Sequence, residues 1–74
     1  MGGVRMSVLN YLLDILNIDS DELIGVDVIK IDRNMIYLYT VNGLANTINV
    51  ETVPDQYIGS YKLVTINGSI VLEK

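Results

Sequence analysis

Asp19, Asp21 and Glu22 are the densest group of side chains in this sequence that could ligate a metal or move a proton. They lack the glycine and the distal glutamate of a calcium loop, so they are read as a solvated helix-capping cluster and no metal is expected. The chain contains no Cys and no His, which removes thiolate nucleophiles, imidazole bases, disulfides and zinc sites built from those ligands. Gly43, Gly59 and Gly68 fall between strand-like runs. None opens a helix, so no phosphate cradle and no cofactor are expected. Catalysis would have to use carboxylates alone, facing each other in a cleft, and the chain is read as non-enzymatic.

The tyrosines offer a different chemistry. Tyr37 and Tyr39 fall on one face of a strand-like run, and with Lys30, Arg33 and Lys62 they form a candidate stacking platform for single-stranded nucleic acid. Charge opposes that reading: nine acidic residues against five Lys plus Arg give a net charge of -4 and a pI near 4.3, which repels phosphate backbones. Nucleic acid is therefore the alternative partner. The same tyrosines with Met35 and Val41 make an apolar outer strip that the first helix or a protein partner could cover.

The elements that position these residues follow from periodicity. Residues 1–7, with Gly2-Gly3 and a second methionine at position 6, read as a loose leader or an alternative start. Ser7 is a good N-cap, and the polar residues Asn10, Asp14 and Asn17 recur at helical spacing. A helix of about three turns is expected. Val8, Leu9, Tyr11, Leu12, Leu13, Ile15 and Leu16 cover most of its circumference, so it should touch two surfaces, the second being a partner or a concave groove of its own domain. Asp19-Ser20-Asp21-Glu22 predicts one further helical turn ending at Gly25.

Beyond Gly25 the period changes to two. Strands are expected over 26–31, 35–41, 44–53, 60–66 and 69–72, with turns at Asp32-Arg33-Asn34, Asn42-Gly43, Pro54-Asp55 and Asn67-Gly68. Half of the residues are apolar, enough for one compact domain: leader and helix over 1–23, strands over 24–74. Five short strands joined by hairpins are best accommodated by a mainly β fold, a small five-stranded antiparallel barrel with one N-terminal α-helix. The apolar run 8–18 is broken by Asn10, Asp14 and Asn17 and is too short to span a membrane. With one Arg before it and no cleavage site after it, no secretory signal is read, and the expected location is the cytoplasm.

From Asp32 onward the sequence resembles the HypC/HupF family of hydrogenase-maturation chaperones. Ile31-Asp32-Arg33-Asn34 with the following strand and Asn42-Gly43 is similar to the family's first hairpin. Ile48-Asn49-Val50-Glu51-Thr52-Val53-Pro54-Asp55 is similar to its third strand, and Ile58-Gly59-Ser60-Tyr61-Lys62-Leu63-Val64 to its V-G-D-Y-V-L-V segment. Ile70 corresponds to the apolar residue of the last strand. The resemblance covers about two thirds of the chain and implies an OB-like barrel that docks on a metalloenzyme precursor or a maturation factor. The family's N-terminal Met-Cys is missing, only Ile24-Gly25 resembles the end of that motif, and Thr65 stands where members usually carry histidine. The soft ligands for an iron fragment are therefore lost. The family's C-terminal helix has no counterpart before Lys74, and the N-terminal helix is expected to pack in its place or against a second copy.

These observations together predict a HypC-like, non-catalytic protein-binding module whose thiol-dependent role is lost. Its interaction residues are expected to be Tyr11, Leu12, Ile15, Tyr37 and Tyr39, with a protein partner and a homodimer formed through the N-terminal helix.

Overall fold

The computed structural model describes residues 7–74; the expected leader and alternative start lie outside the described residues. Ser7 opens the first helical segment, α1 (residues 8–15), its Oγ accepting from the Asn10 amide at 3.1 Å. After an α-turn over Val8–Asn10, α1 widens to π geometry over Tyr11–Ile15, with the Leu16 amide donating to the Tyr11 carbonyl at 3.0 Å. The segment closes where Asn17 adopts φ 57 and the Ile18 amide reaches back to the Leu12 carbonyl, a terminus that Asn tolerates better than a branched residue. Asn10, Asp14 and Asn17 are exposed, as the spacing predicts. The second helical turn is a 3-10 turn over Ser20–Leu23, with the Asp19 carboxylate accepting from the Asp21 amide. This backbone contact accounts for part of the acidic cluster as a cap.

Five strands follow: β1 Val28–Ile31, β2 Met35–Thr40, β3 Gly43–Asn49, β4 Gly59–Ile66 and β5 Ser69–Glu73. All neighbours are antiparallel, in the order β3-β2-β1-β4-β5. The β2–β3 turn is held by Thr40, whose Oγ1 accepts from the Asn42 amide and donates to the Gly43 carbonyl. The β4–β5 turn places Asn67 at φ 52 and Gly68 at φ 81, the paired positive angles of a tight two-residue hairpin. β3 ends before its expected limit because the chain leaves the ladder at Val50. There the Val50 and Val53 amides donate to the carbonyls of Asn34 and Arg33.

One face of the sheet carries the core. Ile29, Ile31, Ile36, Leu38 and Tyr61 point into a cluster with Tyr11, Leu12, Ile18, Leu23, Val26, Val53 and Tyr57, and each fully buried aliphatic side chain contributes about 1.5–3 kcal/mol. The strand order leaves β3 and β5 at the two ends of the ladder, and α1 lies between them. Val8 and Leu9 border a recess of about 300 Å³ with Ile70 and Leu72 of β5, while Tyr11, Ile15 and Leu16 border a groove of about 440 Å³ with Ile48 and Val50. The mainly β, five-stranded antiparallel class with an N-terminal helix is therefore present; the strands form one open sheet whose ends, β3 and β5, share no ladder pairing, so the expected closure into a barrel is not made by hydrogen bonds. The concave groove of the chain's own domain accounts for the nearly all-round apolarity of the helix.

Candidate docking surface

Strand alternation places Val28 and Lys30 of β1 and Met35, Tyr37 and Tyr39 of β2 on the face turned away from the core. Pairing registers set these into two rows. Thr47, Tyr37, Lys30 and Ser60 lie side by side across β3, β2, β1 and β4, and Leu44, Tyr39, Val28, Lys62 and Glu73 run parallel to them from β3 to β5. Tyr37, Tyr39, Val28 and Met35 are each half-buried. The Lys30 ammonium lies 5.9 Å from the centre of the Tyr37 ring, within the range of a cation–π attraction.

Charge is distributed unevenly. Asp14, Asp19, Asp21 and Glu22 belong to the N-terminal segment on the core side of the sheet, and Glu51 and Asp55 to the β3–β4 connection. The outward rows contain Lys30 and Lys62, with Glu73 opposite Lys62 in the register, and the remaining two acids, Asp27 and Asp32, flank β1 at its two ends. The tyrosine face is thus far less acidic than the chain's net charge of -4 suggests.

The five residues expected to form one interaction patch are separated by the fold. Tyr37 and Tyr39 are together on the outward face. Tyr11 and Leu12, at 4% and 0% exposure, are part of the chain's own core and cannot meet a partner while α1 is seated; this corrects the expectation for both. Ile15 is 58% exposed but stands on the opposite side from Tyr37 and Tyr39. The π-turn explains Ile15: one extra residue in the turn brings Leu16, not Ile15, into line beneath Tyr11 and Leu12. The outward strip is not covered by α1, which packs on the other face.

A second tyrosine cluster escapes a reading by pattern. The Tyr61 hydroxyl donates to the Tyr57 carbonyl at 2.9 Å, the geometry of a tyrosine corner. The Tyr57 ring stacks on Tyr11 with centroids 4.2 Å apart and planes 16° from parallel. Burial pushes the Tyr61 phenol above its ordinary value; Tyr11 is raised by burial first and by its neighbour Tyr57 second. The available signal was the four-residue spacing of Tyr57 and Tyr61 after Pro54. The pairing with Tyr11 had no local signature. Among the described residues, no three potential metal-ligating side chains converge, and no helix is long and apolar enough to cross a membrane.

No family model matches the chain, and neither a curated protein nor a solved structure matches it.

Proposed function

We propose that the chain is a non-catalytic protein-binding module that docks through the outward face of β1, β2 and β4, with Tyr37 and Tyr39 at its centre. The observation that carries this reading is the two-faced sheet: one face is filled by the chain's own helix and connections, and the other presents a half-buried Tyr, Met and Val strip flanked by two lysines. Rigid tyrosines ringed by polar groups are typical anchors of protein interfaces. The resemblance to the HypC/HupF chaperones suggests a metalloenzyme precursor or a maturation factor as the client, met in the cytoplasm. Loss of cysteine limits the module to docking.

The test is affinity capture from the native cell extract with the wild-type chain and with a Tyr37→Ser/Tyr39→Ser variant of unchanged circular dichroism. Retained proteins should be lost from the variant, each tyrosine weakening binding by about tenfold or more. A retained set indifferent to the double substitution overturns the reading. Lys30 and Lys62 beside the tyrosines favour one second reading, single-stranded nucleic acid on the same face. That reading requires quenching of tyrosine emission by oligothymidine, with affinity falling steeply between about 50 and about 200 mM salt.

A further inference from the structure

β3 is an edge strand without the usual charged safeguards. Every residue of Gly43–Asn49 except Ile48 is exposed, and residues 34–50, which span β2, the turn and β3, include no charged side chain and no proline. Edge strands normally prevent strand addition with lysines, prolines, bulges or covering elements. Among the described residues β3 has a bulge, where Leu38 pairs with Asn46 and Tyr39 with Leu44 and Ala45 is the extra residue, and α1 borders it only at its end, where Tyr11, Ile15 and Leu16 line a groove with Ile48 and Asn49. Past the bulge, residues 46–49 pair regularly with β2. The Thr47 amide is bound to the Asn46 side-chain oxygen at 2.9 Å, so this donor is turned away from the β2 ladder, toward the open edge. Its present acceptor is a side chain that a strand carbonyl can replace.

We propose that β3 pairs antiparallel with β3 of a second copy about a two-fold axis, joining the two sheets into one. The occupant follows from two observations. The groups to be satisfied are backbone donors and acceptors in an extended row, which another β-strand matches. A chain of net charge -4 repels its copy wherever acids face acids; the uncharged run 34–50 avoids that cost along the whole of β3, whereas the shorter uncharged run 63–72 of the β4–β5 hairpin is bounded by Lys62 and by Glu73 within β5 itself. β5, the other edge, ends at Glu73 and packs against the start of α1 through Val8 and Leu9, so it is the poorer partner. An antiparallel strand pair is isologous and closes at two copies. The inference is independent of the identity of any client, although the dimer would set the Tyr37 and Tyr39 faces of both copies side by side.

Sedimentation velocity across a concentration series should show the full chain passing from 8.2 kDa to twice that mass, without larger species. Thr47→Pro removes the outward donor and leaves the β2 ladder intact, while Thr47→Lys sets like charges together at the two-fold axis; each should weaken dimerisation by tenfold or more. Hydrogen exchange on the unmodified chain provides a readout that needs no variant: the Thr47 amide should slow as concentration rises. A monomer throughout, growth beyond two copies, undiminished dimers of both variants, or exchange at Thr47 indifferent to concentration overturns the proposal.

Discussion

Tyr61 shows how one hydroxyl holds three parts of the chain. Its bond to the Tyr57 carbonyl fixes the 3-10 turn Asp55–Tyr57 to β4, and Tyr57 in turn carries the stacked ring of Tyr11 from the helix. Tyr61→Phe keeps the ring and strands a buried carbonyl, so it should lower stability by about 1–3 kcal/mol in urea unfolding. The same cluster sets an alkaline limit. The phenols of Tyr11 and Tyr61 are raised above the ordinary value of 10.0, so the unfolded chain releases these protons first as pH rises. The contribution is complete below that pH and is lost above it. Melting temperature should fall above about pH 10, and Tyr61→Phe should flatten part of that fall; a fall of equal steepness in the variant would remove Tyr61 from the explanation.

Among the elements, α1 separates what periodicity reveals from what it conceals. Its N-cap, its polar stripe and its end near Asn17 are local properties and were legible. The phase of its last turn was not, because a single inserted residue per turn depends on how the segment fits between β3 and β5. Leu12→Ala should cost about 2–5 kcal/mol, whereas Ile15→Ala should shift stability by about 0.5 kcal/mol or less; equal losses in thermal melts would restore the regular α-helical phase. The hairpins were legible for the opposite reason, since Asn42-Gly43 and Asn67-Gly68 encode their turns in two residues. Tyr37 and Tyr39 were legible as a pair because alternation along a strand is enough to place them together. That Tyr11, Leu12 and Ile15 stand apart from them depends on which sheet face the helix covers, and no short segment encodes that.

At the scale of the molecule, the helix supplies an interior wall. A chain beginning at Ser20 lacks Tyr11, Leu12 and Ile18, all buried in the single core, and exposes the inward side chains of β3 and β5. It should melt without cooperativity and bind a hydrophobic dye; a sharp transition matching the full chain would show that the strands suffice alone.

The position of α1 also bears on the order in which the protein is built. A ribosome releases Val8 and Leu9 long before Ile70 and Leu72, which line the recess beside them. The seating of α1 therefore waits for β5, the strand that follows it at the greatest distance among the described elements. During synthesis, Val8 and Leu9 remain without these partners, and this interval, more than the finished fold, is when a nascent chain of this design is most exposed to aggregation.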